Sequence, residues 1–221
     1  MEIFLSAKNI SKTFQGKKVL NNINIDIRKA EIVAISGASG AGKTTLLNIL
    51  STLDKPDENH STSLIIGNHE VFNLDKNDLA KLRSHKIGFV FQFHELIPEL
   101  NVMENVCLPG WIRKDRNVKK RANNLLKYFG LHEFANKKPL TLSGGEKQRV
   151  AIARSLINSP EIIFADEPTG NLDSKNSKLL FDLFFKLRDD FDCSVVIVTH
   201  DENSANICDR KLLIVDGKIK N

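Results

Sequence analysis

The sequence predicts an α/β fold in which a mostly helical segment is inserted into a parallel sheet and an antiparallel β element lies on the N-terminal side. Short, almost wholly apolar runs alternate with helical stretches, which is typical of parallel strands buried on both faces. Residues 93–159 contain no strand pattern and include the helical stretches 118–129 and 146–158. Polar and apolar residues alternate over 22–27, as in a half-exposed antiparallel strand.

Four runs rich in β-branched and aromatic residues are the predicted strands of the parallel sheet: 31–36, 86–91, 161–165 and 194–199. Helices are predicted after three of them, over 43–53, 174–191 and 202–208. The stretch 212–219 predicts a hairpin that turns at Asp216-Gly217. Because parallel strands end at a common edge, ligand-binding groups are expected at their carboxyl ends.

Composition and charge limit the classes of protein to consider. The 221 residues are 41% hydrophobic and 27% charged, which excludes wholesale disorder and allows one domain to fold without disulfides or a structural metal. The net charge of +5 suits an anionic ligand, an acidic partner or a membrane surface. Cys107, Cys193 and Cys208 are far apart in the chain, so we expect reduced core residues. We find no signal peptide and no apolar run near the ~20 residues of a membrane span, so we expect a cytosolic chain that a partner brings to any membrane.

The segment Gly37-Ala-Ser-Gly-Ala-Gly-Lys-Thr44 fits GxxxxGK[ST] and lies between a predicted strand and a predicted helix, the context of a P-loop. Glycines let the backbone direct successive N–H groups at a phosphate, and the helix N-terminus adds positive charge. Lys43 can reach the β- and γ-phosphates, and the Thr44 hydroxyl can bind Mg²⁺. The candidate nucleotide-binding residues here are Gly37, Ala38, Ser39, Gly40, Ala41, Gly42, Lys43, Thr44 and Thr45.

An apolar strand, 162–165, runs into two acids, Asp166 and Glu167. At the end of a strand Asp166 can hold Mg²⁺, and Glu167 can polarise an attacking water molecule. On its own the pattern also fits a strand that enters a solvated turn. Its position downstream of a P-loop favours the catalytic interpretation.

The segment Leu142-Ser-Gly-Gly-Glu-Lys-Gln-Arg149 predicts a capped helix start. Ser143 and Glu146 have capping-box spacing, while Gly144 and Gly145 leave backbone N–H groups accessible. A plain helix cap explains the pattern equally well. The functional alternative is a second anion-binding helix end, serving a nucleotide held by another copy of the chain.

These motifs resemble those of ATP-binding-cassette ATPases and occur in the same order. Gln92 and His200, which each follow a predicted strand, fit the same order. The resemblance covers nearly the whole chain. The resemblance implies one domain, with a P-loop NTPase core over 1–92 and 160–221 and a helical subdomain over 93–159. It also implies that Gln92 contacts Mg²⁺ and water and senses a membrane partner, and that His200 contacts the γ-phosphate in its own site.

Further roles follow from the same resemblance. Ser143 and Gly145 would contact the γ-phosphate of the opposite subunit's ATP, with Gly144 beside them, and Asp173 would organise the interface between the two sites. Phe14 occupies the place of the adenine-stacking aromatic residue, with a core position as the alternative. The stretch 56–67 lacks the family's usual glycine turn, so we expect an altered surface loop there.

Within the family, the stretches 91–106 and 165–173 resemble the ATP-binding subunits of lipoprotein-releasing transporters. The expected function is ATP hydrolysis, with Mg²⁺, at the cytoplasmic face of the bacterial inner membrane, by a homodimer that drives lipoprotein release. An FtsE-like cell-division ATPase or a MacB-like exporter subunit shares most of these residues and is the main alternative. A small-molecule kinase would lack the 142–149 segment. A nucleic-acid or ribosome factor would carry tandem cassettes or long coiled coils, so no nucleic-acid partner is expected.

Six apolar residues crowd behind Gln92: Phe93, Leu96, Ile97, Leu100, Val102 and Met103. Pro98 interrupts any helix there, so one helical face cannot bury them all. Either they pack into the core of the helical segment, or they form an exposed patch near 93–103 where integral membrane subunits dock.

Overall fold

A six-stranded sheet forms the centre of the molecule in the computed structural model, which describes residues 2–170 and 173–220. Numbered in chain order, its strands lie side by side as β10 (Lys218–Lys220), β9 (Arg210–Val215), β3 (Ile32–Ser36), β8 (Ser194–Val198), β7 (Ile162–Asp166) and β6 (Ile87–Val90). Neighbouring strands are parallel from β9 to β6, and β10 pairs with β9 as an antiparallel hairpin. The predicted parallel sheet and C-terminal hairpin are both confirmed.

A second, antiparallel sheet lies on the N-terminal side. Its order is β2 (Lys17–Arg28), β1 (Ile3–Phe14), β4 (Ser63–Ile66) and β5 (His69–Glu70). In β2, Ile23, Ile25 and Ile27 are buried and the residues between them are exposed, as the alternating pattern predicts. The sequence analysis did not predict β1, whose polar and apolar residues do not alternate cleanly.

Helices connect and flank the strands. They are α1 (Lys43–Leu50), α2 (Lys76–Lys86), α3 (Val102–Ile112), α4 (Val118–Tyr128), α5 (Gly144–Leu156), α6 (Ser174–Phe191) and α7 (Glu202–Asn206), with 3₁₀ turns at Val71–Asn73, His132–Phe134 and Pro139–Thr141. The chain between β6 and β7 forms helices and 3₁₀ turns and no strand. The division into subdomains at 92/93 and 159/160 stays a prediction.

Both faces of the parallel sheet are buried, and each face belongs to a different core. Ile163 and Val195 face a cluster formed largely by α3 to α6, whereas Phe164 and Val196 face the antiparallel sheet and α1. Successive strand residues point to opposite faces. The central strands β3, β6, β7 and β8 are therefore apolar along most of their length, which is the feature that made the fold predictable.

Several element boundaries differ from those predicted. Helix α1 ends at Leu50 rather than at 53, and Thr52 follows it with a φ of 66°. Helix α7 ends at Asn206 rather than at 208. The altered loop expected over 56–67 ends before Ser63, because Leu64 and Ile66 are buried in β4 against β1.

The three cysteines are free thiols. Cys107 and Cys193 are buried and Cys208 is half-buried. Their thiols pack among apolar side chains, and burial raises the pKa of Cys193 and of Cys208 to about 12.

Candidate functional site

The P-loop joins the end of β3 to the start of α1, and two of its glycines have conformations that other residues rarely adopt. Gly37 has a φ of 146°, and a Cβ added to it would lie 2.3 Å from the Ile214 carbonyl oxygen. Gly42 has a φ of 100° and no room for a Cβ beside Leu20. No side chain caps the N-terminus of α1. Its first N–H groups are therefore available to an anion.

The Lys43 side chain lies across this loop. It is almost fully buried, and its Nζ donates hydrogen bonds to the carbonyl oxygens of Gly37 at 2.9 Å and Ala38 at 3.1 Å. These two acceptors fix the ammonium within the turn of the loop. A phosphate bound there would meet a lysine whose position is already set.

Thr44 and Asp166 come from opposite sides of the site and meet in a hydrogen bond. The Thr44 hydroxyl donates to Asp166 Oδ1 at 3.1 Å. Burial raises the pKa of the Asp166 carboxyl, the Thr44 hydrogen bond opposes this, and the charge of Glu167 adds to the increase. A hydroxyl and a carboxylate oxygen are ligands that Mg²⁺ prefers, so this pair fits a magnesium site.

Glu167 lies one residue beyond β7 and contacts His200, which lies beyond the neighbouring strand β8. Its Oε2 is 2.7 Å from His200 Nδ1, and its backbone N–H donates to the Val198 carbonyl oxygen at 2.9 Å. Glu167 has a φ of 44°, so the chain turns sharply as the strand ends. The sequence analysis selected both residues for the site and did not foresee that they contact each other.

These groups converge on a cleft of about 430 Å³. It is lined by Phe14, Val19, Ser39, Gly40, Gly42, Lys43, Thr44, Thr45, Glu167 and His200. Phe14 is 46% exposed at its mouth, which is incompatible with the core position considered as an alternative. A larger cavity of about 710 Å³ lies between the loop 54–62 and α2. The smaller cleft is the candidate active site because it contains the P-loop, a carboxylate and a histidine together.

Lys12 lies beside the Phe14 ring. Its Nζ is 5.1 Å from the ring centroid and donates a hydrogen bond to Asp54 Oδ1 at 2.9 Å. A cation near one face of the ring leaves the other face for stacking. The sequence analysis missed Lys12, because 42 residues separate it from Asp54 and no local pattern connects them.

Gln92 lies near the turn that follows Glu167, and Asp173 lies at the start of α6. A Cβ added to Gly170 would lie 2.9 Å from Gln92 Nε2, so the glutamine side chain closely approaches the turn that follows Glu167. Asp173 caps α6, and its Oδ1 accepts a hydrogen bond from the Asn176 N–H at 2.8 Å. Asn171 and Leu172, part of the stretch that resembles lipoprotein-releasing ATPases, lie outside the described residues.

The 142–149 segment begins α5 with the predicted capping box. Ser143 Oγ accepts from the Glu146 N–H at 3.3 Å, and Glu146 Oε2 accepts from the Ser143 N–H at 2.7 Å. Ser143, Gly144 and Gly145 do not line the P-loop cleft of their own chain. One copy therefore carries a P-loop site and, elsewhere on its surface, a second glycine-rich helix start.

The six apolar residues behind Gln92 divide between core and surface. Val102 is fully buried, and Leu96 and Met103 pack partly buried against the core. Phe93 is 69% exposed, and Ile97 is exposed as well. Core packing therefore accounts for part of the set, Phe93 and Ile97 are exposed, and docking on them stays a prediction.

The family model for ABC transporters matches residues 20–170, which include the P-loop, the α5 start and the Asp166-Glu167 pair. The chain belongs to the ABC transporter family. Its ATP-binding-cassette motifs and its α/β fold are those of a subunit that hydrolyses ATP, as the sequence predicts.

Curated relatives match over nearly the full length. The lipoprotein-releasing system ATP-binding protein LolD of Bacteroides thetaiotaomicron is 48% identical, over 98% of this chain and 99% of its own. LolD of Aquifex aeolicus is 45% identical, over 99% of this chain and 97% of its own.

Two solved structures share the fold. The ATP-binding cassette MJ0796, dimeric in a post-hydrolysis state with ADP and phosphate, is 44% identical with a TM-score of 0.87, over 98% of this chain and 97% of its own. CbiO1 of Clostridium perfringens, part of an ABC transporter complex, is 28% identical with a TM-score of 0.89, over 100% of this chain and 88% of its own. Among the described residues, no helix is long and apolar enough to cross a membrane.

Proposed function

We propose that this chain is the ATP-hydrolysing subunit of a lipoprotein-releasing transporter, a translocase that acts at the cytoplasmic face of the bacterial inner membrane. The observation that carries the ATPase assignment is one cleft lined by Lys43, Thr44 and Glu167, with Asp166 hydrogen-bonded to Thr44. The lipoprotein-releasing assignment rests on relatives of that name that match over nearly the whole chain. That name favours lipoprotein release over FtsE-like signalling or MacB-like export.

In the proposed reaction, water attacks the γ-phosphorus of ATP, the bond from that phosphorus to the β–γ bridging oxygen breaks, and ADP and phosphate leave. The Glu167 carboxylate accepts a hydrogen bond from the attacking water and orients it. Lys43 and the P-loop N–H groups stabilise negative charge on the phosphates. His200 contacts the γ-phosphate, and because its side chain is largely exposed it can turn from Glu167 to that oxygen.

Mg²⁺ is the proposed metal, with Thr44, Asp166 and Gln92 as its protein ligands. Bound Mg²⁺ neutralises phosphate charge. Asp166 is suited to hold it, because a partly desolvated carboxylate gains more from a cation than an exposed one does. The Thr44 hydroxyl, now donating to Asp166, has a lone pair to offer a metal.

We further propose that ATP binds between two copies, the α5 start of one covering the P-loop of the other. Gly145 supports this arrangement. Among residues 2–170 and 173–220, a Cβ added to it would meet Arg149 Nη1 at 3.8 Å and nothing closer, so no contact in this part of the chain requires a glycine. A glycine costs a helix about 1 kcal/mol relative to alanine. A glycine at this position is explained if another molecule approaches closely there. Ser143 and the N–H groups of Gly144 and Gly145 would then face the γ-phosphate. Asp173 then lies at the interface.

The membrane subunits are proposed to dock on the segment 93–103. Phe93 and Ile97 are its exposed apolar side chains, and Gln92 connects it to the catalytic turn. Exposed apolar patches mark protein–protein interaction sites, and this one offers a surface to a helix of the partner.

Glu167→Gln tests the catalytic assignment and the cargo together. The variant keeps the shape of the side chain and loses the charge that orients water, so ATP turnover should fall about 10²-fold or more, with ATP binding retained. ATP should then hold two copies together, giving a dimer in gel filtration. In vesicles that contain the membrane subunits, release of a lipoprotein into solution should stop.

Glu133→Gln is the matched control, because Glu133 is exposed and does not line the cleft. It should match the parent protein in turnover and release. A Glu167→Gln protein that stays monomeric in saturating Mg-ATP would contradict the shared site. Normal turnover with no ATP-dependent lipoprotein release would contradict the cargo while leaving the ATPase intact.

Phe93→Ser with Ile97→Ser tests the docking segment. Both side chains are exposed, so the thermal midpoint and ATP affinity should change little while co-purification with the membrane subunits is lost. Ile207→Ser, an exposed isoleucine at the end of α7, is the control and should keep the complex. If the double variant remains folded and bound to its partner, docking takes place elsewhere.

A further inference from the structure

The end of α3 and the start of α4 form a protruding corner, residues 111–120, which we call the basic corner. The two helices touch so closely that a Cβ added to Gly110 would lie 2.2 Å from Val118 Cγ2. The connecting turn is hydrogen-bonded: the Lys114 N–H donates to the Trp111 carbonyl oxygen at 2.8 Å, and the Asp115 N–H to that of Gly110 at 3.0 Å. The corner is therefore a fixed surface with a defined set of side chains.

Two large apolar side chains are exposed on the basic corner. Trp111 is 38% exposed and Ile112 is 72% exposed. The core next to them is well packed, since Val118, Ala122 and Leu126 on the inner face of α4 are buried. The exposure of Trp111 and Ile112 is therefore not a packing defect. Neither residue belongs to the ATP cleft or to the docking segment 93–103. Their exposure points to a partner that this chain alone does not supply.

The same corner carries a concentration of positive charge. The corner, residues 111–120, contains five lysines and arginines and a single acid, and Arg121 follows directly. That acid, Asp115, already forms an ion pair with Arg121. Lys114, Arg116, Lys119 and Lys120 are exposed, and none of them takes part in an ion pair within residues 2–170 and 173–220. The surface is complementary to an anionic partner.

We propose that the basic corner binds the headgroup region of an anionic lipid bilayer. Lysine and arginine are attracted to the negative surface of such a bilayer, and tryptophan is enriched at its boundary between headgroups and acyl chains. An exposed isoleucine beside the tryptophan adds apolar area that a bilayer can bury and a purely polar anion cannot. The basic corner thus gives the chain its own contact with the membrane, in addition to the contact that the membrane subunits provide.

Trp111 is the chain's single tryptophan, so its fluorescence reports directly on this surface. The purified full-length chain is titrated with vesicles of phosphatidylcholine alone and of phosphatidylcholine with about 30% phosphatidylglycerol. With the anionic vesicles, the emission maximum should move to shorter wavelength and iodide quenching should decrease. Both effects should diminish as salt rises from about 50 to 500 mM, since the attraction is screened. Neutral vesicles should have little effect.

Replacing Lys114, Arg116, Lys119 and Lys120 with glutamine should weaken binding to anionic vesicles, measured by sedimentation, by about 600-fold, since each basic residue contributes about a fivefold factor. The matched control removes the same charge elsewhere, by glutamine at the exposed residues Lys8, Lys76, Lys218 and Lys220, and should bind nearly as the parent does. Equal losses in the two variants would overturn the proposal, because net charge alone would explain binding. ATP hydrolysis in solution should be unchanged in both, so this test is independent of the proposed catalytic roles.

Ile112→Ser distinguishes a bilayer from an acidic protein. The variant should bind anionic vesicles several-fold more weakly and bind soluble polyglutamate as the parent does. If the parent binds polyglutamate as well as it binds vesicles at equal charge concentration, or if Ile112→Ser affects neither, the occupant is not a bilayer.

Discussion

The Asn105 side chain makes hydrogen bonds that stabilise the segment between Gln92 and α3. Replacing Asn105 with alanine should destabilise that segment. The side chain is fully buried. Its Oδ1 accepts from the Ile97 N–H at 2.8 Å, and its Nδ2 donates to the carbonyl oxygens of Ile97 and Leu100, each at 3.1 Å. A single amide therefore replaces the backbone hydrogen bonds that a segment interrupted by Pro98 cannot make itself.

The size of the effect follows from these contacts. Alanine would leave the Ile97 N–H and the carbonyl oxygens of Ile97 and Leu100 without the Asn105 amide as their partner. At about 0.5–1.5 kcal/mol for each of the three hydrogen bonds, Asn105→Ala should lower the free energy of unfolding by about 1.5–4.5 kcal/mol. For a domain of this size, that corresponds to a decrease of about 3–18 °C in the thermal midpoint.

Thermal unfolding followed by circular dichroism measures the stability, and hydrogen exchange at the Ile97 amide locates the change. The amide should exchange faster in Asn105→Ala than in the parent. Asn124→Ala, an exposed asparagine on α4, is the control and should change stability by less than about 0.5 kcal/mol. A loss below about 1 kcal/mol would refute the accounting. If stability falls by the expected amount but the Ile97 amide exchanges at the normal rate, the Asn105 hydrogen bonds do not hold this segment. The lost stability would then come from the space left by the smaller side chain.

Two further predictions concern the base of the nucleotide and the glycines of the helical region. Phe14→Ala should weaken ATP and GTP alike by about 0.5–1.5 kcal/mol, since stacking does not distinguish the purines. Lys12→Met should weaken the binding of both nucleotides in the parent protein and have no further effect in Phe14→Ala. Titration with a fluorescent nucleotide measures both affinities. Additive losses of binding free energy would mean that Lys12 acts independently of the ring. Gly110→Ala should lower stability by about 1–3 kcal/mol, because the new methyl group overlaps Val118. Gly145→Ala, the matched substitution where a Cβ has room, should leave the thermal midpoint unchanged or raise it, because alanine favours a helix by about 1 kcal/mol over glycine. It should prevent the ATP-dependent dimer, and a normal dimer would contradict the close approach proposed there.

The features that the sequence predicted are those encoded over a few consecutive residues. The parallel strands are short apolar runs because both of their faces are buried, and the P-loop and the α5 cap are single local segments. Helix α2 was missed for the opposite reason. Leu82 is its one fully buried residue, so its sequence has no apolar periodicity to detect.

Contacts between distant segments could not be predicted in the same way. Glu167 meets His200 because β7 and β8 are paired in register, Asp166 lying opposite Val198, so that the two strand ends emerge together. That register is set by the whole sheet rather than by either segment. The same holds for Lys12, whose ammonium lies between the Phe14 ring and Asp54 only when β1 and the loop after α1 are both in place.

The segment between β6 and α3 contacts both parts of the proposed ATP site, which gives a route by which the proposed docking would be coupled to hydrolysis. Gln92 lies against the turn that follows Glu167. A few residues later, Arg154 of α5 donates a hydrogen bond of 2.7 Å to the His94 carbonyl oxygen and another to that of Glu95. Helix α5 is the helix whose start we assign to the partner's nucleotide. Asn105 holds the far end of the segment. The segment therefore cannot shift without moving α5, the turn after Glu167, or both. A displacement at Phe93 and Ile97 thus reaches the P-loop site and the α5 start through one or two contacts each.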